Sequence, residues 1–289
     1  MEKKLNKTGK DINKFLKNFL KKQRRTELIT SMNYGLFPGG KKIRSKIIFD
    51  VGKIFRVKNK DLMILAASVE TIHAYSLIHD DLPCMDDDSL RRGKLSTHIK
   101  FGESTAILAG NSLLTTAFEI LSDKRFKVDD KIKSNLIHFL SRCSGQIGIA
   151  GGQYLDLSYE KKKVSLKKIL NMELKKTGKL FEFCCLAPLL IKKNKKNLNS
   201  FSRLGKDIGL LFQIIDDLID FKGKTRFAGK KTKKDTKRGK ATIISLLGYE
   251  NTVKYVHKLE QNIYNKLRIH SNKADELKET IKFIVKREK

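Results

Sequence analysis

The sequence predicts an all-α protein, about ten or more helices in one domain. Three observations carry that prediction. Apolar residues recur at three- and four-residue steps through most of the chain. Only three prolines, Pro38, Pro83 and Pro188, interrupt those runs. No Asn-Gly hairpin with alternating flanks and no strand–helix alternation is present.

The elements follow in order. Leu62, Leu65, Ala66, Val69, Ile72, His73, Ser76 and Leu77 make one apolar helical stripe that runs into an acidic cluster. Residues 101–121 form a second helix candidate, rich in Ala and Leu, and 132–149 and 166–190 follow with the same spacing. The last strong candidate, 201–221, carries a second acidic cluster. Residues 222–240 are Lys-rich, contain Gly and hold little apolar content, so they read as a loop.

Composition narrows the function classes. At 289 residues and 40% hydrophobic, the chain can bury a sizeable core, and a single domain over 1–289 is expected. The formal net charge is +31, but the excess is mostly Lys and is spread along the whole chain. Basic residues interleaved with stacking aromatics are not evident, so nucleic acid is not the expected partner. The polar N-terminus lacks a signal-type apolar core, and no uncharged run of about 18 apolar residues occurs, so membrane insertion is not expected. The four cysteines show no CxxC spacing, which fits buried, reduced thiols and a cytoplasmic setting.

In so basic a chain the acidic clusters stand out: Asp80, Asp81, Asp86, Asp87 and Asp88, then Asp216, Asp217 and Asp220. Carboxylates packed this tightly repel one another. Hard oxygen donors of this kind suit Mg²⁺, which takes one or two carboxylates and completes its shell with water and substrate phosphates. Asp216 and Asp220 are four apart and project from one helix face. A solvated acidic helix end is the plain alternative, and the apolar neighbours Phe212, Ile214, Ile215, Leu218 and Ile219 weigh against it. Asp80 and Asp86 would lie about 120° out of register on an ideal helix. Pro83 between them predicts a bulge that swings Asp86 back toward Asp80.

Cationic groups accompany the clusters. Arg91 and Arg92 follow the first, and guanidinium suits bidentate contact with phosphate oxygens. Upstream, Gly39-Gly40-Lys41-Lys42-Ile43-Arg44 offers a turn and then cations at a helix start, where backbone amides favour anions. His73 lies two turns before Asp80 on the same face. Taken singly these are ordinary surface or core residues; together they suit a magnesium-bound diphosphate.

The stretches GGKKIR (39–44), HAYSLIHDDLPCMDDDSLRRG (73–93), KFGESTAILAGNSLL (100–114), GGQYLDL (151–157), KKTGKL (175–180), FQIIDDLIDFKG (212–223) and GKAT (239–242) run in the order of a known family. Over about residues 30–245 the chain resembles the trans-isoprenyl diphosphate synthases, most closely their bacterial farnesyl type. The resemblance implies a bundle of mostly antiparallel helices around a central cavity, usually a homodimer. It implies substrates isopentenyl diphosphate and dimethylallyl or geranyl diphosphate, and about three Mg²⁺ ions at the two Asp motifs. Mapped by motif, Asp80, Asp86, Asp216 and Asp220 are metal ligands, with Asp217 in support. Arg91, Lys176, Thr177, Gln213, Lys230 and Lys240 are assigned to the allylic diphosphate, and Lys176, Thr177 and Gln213 to the allylic cation. Lys41, Arg44, His73 and Arg92 are assigned to isopentenyl diphosphate, and Tyr75 and Ser76 to the floor that limits product length. The aromatic at 75 favours a farnesyl product over geranylgeranyl. Ser45 stands where the family usually has Pro, which is expected to loosen that helix start, and Lys233 stands where a Gly is usual. A terpene cyclase shares the fold but normally lacks the second DDxxD and the GGKxxR-type site.

Overall fold

The computed structural model describes residues 1–226 and 242–287. Lys230, Lys233 and Lys240 therefore lie outside the described residues. The chain divides into two compact units, Met1–His138 with Leu190–Lys193, and Phe139–Leu189 with Asn194–Lys289.

The first unit is built around a helix that is apolar on every side. This is α4 (Asn59–Asp80), and Leu62, Leu65, Ala66, Val69 and Ile72 on it are fully or almost fully buried. An all-round apolar helix must be covered all round, and here α1 (Glu2–Leu20), α2 (Glu27–Leu36), α3 (Ile43–Ile54) and α6 (Glu103–Ser122) supply the cover. By length and composition alone α4 could cross a membrane, but 72% of its apolar window is buried inside the protein. Gly102, at φ +84°, separates α5 (Thr97–Phe101) from α6, so the helix expected over 101–121 begins two residues later.

Between α4 and α5 the chain makes a hairpin that sequence reading did not foresee. Leu90–Arg91 (β1) pairs antiparallel with Lys94–Leu95 (β2). Arg92 (φ 54°) and Gly93 (φ 76°) turn it, both in the left-handed region that tight two-residue hairpins require. The signal was an Arg-Gly pair rather than the usual Asn-Gly.

The second unit holds α8 (Ile149–Tyr159), α9 (Leu166–Glu173), a π-helical turn (Leu174–Gly178), α10 (Lys179–Ile191), α11 (Leu198–Arg226), α12 (Ile243–Leu247), α13 (Tyr249–Leu267) and α14 (Asp275–Lys286). Its core centres on α11, which packs on the π turn, α13 and α14. The two C-terminal helices follow from amphipathic spacing, Val256, Leu259, Ile263 and Leu267 and then Leu277, Ile281 and Ile284, all buried. The helix expected over 132–149 is two: α7 (Asp130–Ser144) stops before a turn, and α8 starts at Ile149. Gly148 explains the break, since a Cβ there would lie 1.9 Å from the Cys143 carbonyl oxygen. Three cysteines are buried as expected; Cys84 corrects that expectation, standing exposed in the turn after α4.

Phe181 is fully buried and its ring lies 5.3 Å from that of Phe212 on α11. Phe181→Ala should destabilise the protein by about 3–5 kcal/mol, read as a lower midpoint in urea denaturation.

Candidate active site

In the first unit the acidic motif begins where α4 ends. Pro83 cannot continue the helix, and the chain folds back: the Asp86 N–H donates to the Asp80 carbonyl at 2.8 Å, and that of Asp88 to the Asp81 carbonyl at 3.1 Å. The expected return of Asp86 toward Asp80 is thus made by a turn beyond the helix, not by a bulge within it. Asp81 is buried and accepts from Arg91 Nε at 2.9 Å, with Arg91 Nη2 on the same oxygen and 3.7 Å from Asp88. Burial pushes the Asp81 carboxyl up, against the pull of Arg91.

The hairpin sends the two adjacent arginines to different work. Arg91 ends β1 and turns to the acidic motif, while Arg92, already in the left-handed turn, donates through Nη1 to the Gly39 carbonyl. Gly40, at φ +113°, leaves room for that guanidinium, since a Cβ there would meet it at 2.3 Å. Arg44 on α3 lies 3.3 Å from His73 Nε2 on α4. Burial, and then Arg44, Arg92, Lys42 and Arg91, hold the His73 pKa well below the ordinary histidine value. The ring is neutral, and since Arg has no acceptor, Nε2 accepts and the proton sits on Nδ1. Arg44, His73 and Arg92 are therefore brought together, with Lys41 exposed on the adjoining turn. Glu70 there was missed from sequence: its Oε2 lies 3.2 Å from Lys42 Nζ, and its Oε1 accepts from Ser45 Oγ at 2.6 Å.

Tyr75 is buried, with its ring edge-on to His79 at 5.5 Å. His79 Nε2 lies 3.1 Å from the Ile107 carbonyl, and only a glycine fits opposite, because a Cβ at Gly110 would lie 2.2 Å from that nitrogen. Ser76 Oγ donates to the His73 carbonyl at 3.0 Å.

In the second unit, backbone contacts set the geometry around the second acidic motif. A Cβ on Gly209 of α11 would lie 2.6 Å from the Gly178 Cα of the π turn, and one on Gly205 would lie 2.6 Å from the Glu182 Cα. One further turn along the same face comes Gln213, whose Oε1 accepts from Thr177 Oγ1 at 3.1 Å while its Nε2 donates to Asp217 Oδ1 at 3.2 Å. Short π turns are often found at functional positions, and this one sets Thr177 toward α11. Lys176 Nζ pairs with Asp156 Oδ2 at 2.6 Å. Asp156 belongs to the GGQYLDL stretch, whose role was not foreseen. Gln153 in the same stretch is buried with neither amide atom hydrogen-bonded to a described residue. Asp216 lies 2.7 Å from Arg287, which also donates to the Phe212 carbonyl at 2.8 Å and stacks 3.9 Å over the Phe212 ring. No motif flagged Arg287.

Whether these carboxylates suit a divalent cation can be tested on Asp217. Its Oδ2 is buried with no hydrogen-bond partner among the described residues. Burial raises its pKa to about 7, and Asp220, Asp216 and Asp156 add to the rise against the hydrogen bond from Gln213. An orphaned oxygen amid mutually repelling carboxylates is the environment that a hard cation relieves, so the donor set fits Mg²⁺. Among the described residues no three such side chains form a ready cage.

Gly152 tests the tight packing of this half. A Cβ there would lie 2.2 Å from the Lys176 backbone nitrogen. Gly152→Ala should cost about 1–3 kcal/mol, seen as a lower melting midpoint in scanning calorimetry.

Comparison with known proteins places these features. The sequence profile of the Polyprenyl synthetase family matches residues 25–284. The farnesyl diphosphate synthase of Escherichia coli strain K12 is 43% identical over 232 residues, covering 79% of this chain and 78% of that one. The farnesyl diphosphate synthase of Micrococcus luteus is 37% identical over 265 residues, covering 91% and 90%. Among solved structures, the apo FPP/GFPP synthase of Zymomonas mobilis superposes with a TM-score of 0.87 at 33% identity, covering 99% of this chain and all of that one. With its helical fold, paired Asp motifs and cation cluster, the chain belongs to the polyprenyl synthetase family.

Proposed function

We propose that the protein is a prenyltransferase that joins isopentenyl diphosphate to dimethylallyl or geranyl diphosphate and releases farnesyl diphosphate. The observation that carries this reading is the cluster of Arg44 and Arg92 around a neutral His73 beside the Gly39–Gly40 turn. Such a cluster offers cations and one neutral ring to a polyanion without a metal. The second unit supplies the complementary chemistry in Thr177, Gln213 and the carboxylates of α11. The family match runs through both units, which supports treating 1–289 as one catalytic domain.

The roles follow from chemistry. Lys41, Arg44, His73 and Arg92 hold isopentenyl diphosphate, and Arg91 and Lys176, with Lys230 and Lys240, serve the allylic diphosphate. Asp80, Asp86, Asp216 and Asp220 would hold Mg²⁺, about three ions by resemblance, which supplies Lewis-acid neutralisation of the departing diphosphate. The allylic C–O bond breaks with its electron pair on the diphosphate, the isopentenyl double bond attacks the allylic carbon, and a proton passes to the departed diphosphate. Thr177 is oriented for this by donating to Gln213, which leaves its oxygen lone pairs for the allylic cation. Tyr75 and Ser76 sit on α4 just before the first motif, and the buried Tyr75 ring closes the space for the growing chain.

We further read the protein as a cytoplasmic homodimer. Exposed Ile99, Ile107 and Leu108 offer apolar area for a second copy, and the three buried cysteines need no oxidising compartment.

Purified protein with Mg²⁺, isopentenyl diphosphate and each allylic starter should give farnesyl diphosphate on chromatography, and chelation of Mg²⁺ should abolish it. Asp80→Ala and Asp216→Ala should each lower kcat by about 100-fold or more; full activity in either variant would sink the assignment of that motif. Tyr75→Ala should shift the product to longer chains, and an unchanged product length refutes the floor.

A further inference from the structure

A carboxylate is an unexpected neighbour for a group of cations that is to bind diphosphate. Glu70 on α4 is 3% exposed and lies one turn before His73, within the field of Lys42, Arg44 and Arg92. It lowers the positive charge of the cluster, so its presence needs a compensating use. Its two oxygens show that use. Oε2 lies 3.2 Å from Lys42 Nζ, and Oε1 accepts from Ser45 Oγ at 2.6 Å. Lys42 and Ser45 bracket Arg44, and Lys42 directly follows Lys41. Glu70 therefore grips the chain on both sides of one cation and next to another.

The backbone explains why a grip is needed. Lys42 caps the start of α3 at φ 50° and ψ 41°, a left-handed conformation that a side chain adopts only at a cost. Gly39 and Gly40 before it are also in positive φ and give the turn no stiffness of their own. A Pro at position 45 would stiffen the first turn of α3; here Ser45 stands instead. Sequence reading expected that departure to loosen the helix start. The structure reverses the expectation, because Ser45 is fully buried and its hydroxyl ties α3 to α4 through Glu70. Burial alone would raise the Glu70 pKa, but Lys42, Ser45 and Arg44 together hold it below the ordinary value, so the carboxylate is ionised and accepts from both partners.

We propose that Glu70 is a positioning residue: by clamping Lys42 and Ser45 it fixes the 41–44 segment so that Lys41 and Arg44 present their charges to the isopentenyl diphosphate, with no contact to substrate itself. The proposal rests on the reading of this half-site given above.

Glu70→Gln keeps the shape and removes the charge that holds Lys42. Steady-state kinetics should show KM for isopentenyl diphosphate raised about 10-fold, with KM for the allylic diphosphate and kcat within about twofold. Calorimetric titration with inorganic pyrophosphate, without metal, should show a matching loss of affinity. Ser45→Ala removes one of the two grips and should move the same KM in the same direction by a smaller factor. An unchanged or lowered KM for isopentenyl diphosphate in both variants overturns the clamp. Equal rises in both KM values overturn it too, since they report general loosening. If Glu70→Gln does not fold, Ser45→Ala decides by the same readout. Should the wild type turn over no isoprenoid pair, the prenyl-transfer reading fails, while pyrophosphate affinity across wild type, Ser45→Ala and Glu70→Gln still tests the clamp.

Discussion

Like charges crowded together resist folding, and each unit answers this around its acidic motif by giving carboxylates a cation from the chain. Asp81 is held by Arg91, Asp156 by Lys176, Asp216 by Arg287 and Glu70 by Lys42. For the buried carboxylates Asp81 and Glu70, removing the partner would leave a bare charge, which costs far more than the pair itself gains. These pairings therefore dictate where the arginines and lysines of the motifs can point. Asp217 is where that accommodation stops, since one of its oxygens is left with no partner among the described residues.

Backbone geometry turns this charge balance into a site. On α11, Gly209 lets the helix sit against the π turn and Gly205 against the start of α10 at distances that no side chain would allow, and Gln213, Asp216 and Asp217 follow one and two turns after Gly209. Around the other motif, a two-residue turn at Arg92 and Gly93 splits neighbouring arginines between an acidic loop and a glycine carbonyl. Both are devices of the backbone, and both decide where the side chains of the motifs stand.

Much of this was legible in the sequence. Helical spacing around Leu62–Leu77 found α4, because a long apolar stripe has few other uses. The Pro83 break and the return of Asp86 were readable because proline leaves the chain so little choice. What escaped reading depended on contact between distant residues. Glu70 looks like an ordinary helix residue until Lys42 and Ser45 are seen to meet it from 28 and 25 positions upstream. Asp156 gains meaning only from Lys176, and Arg287 only from Asp216. The hairpin was missed for a local reason, since a strand of two residues has no periodicity to detect.

The Arg287 contact has a thermodynamic corollary. Arg287 Nη2 lies 2.7 Å from Asp216 Oδ1 while the same guanidinium stacks on the Phe212 ring and bonds the Phe212 carbonyl, so Asp216 is not a naked carboxylate. Any cation that took that oxygen would exchange with the guanidinium, and its apparent affinity would be lower by the free energy needed to dislodge the arginine. For such an ion the protein's own side chain would be the first competitor, ahead of any rival in solution.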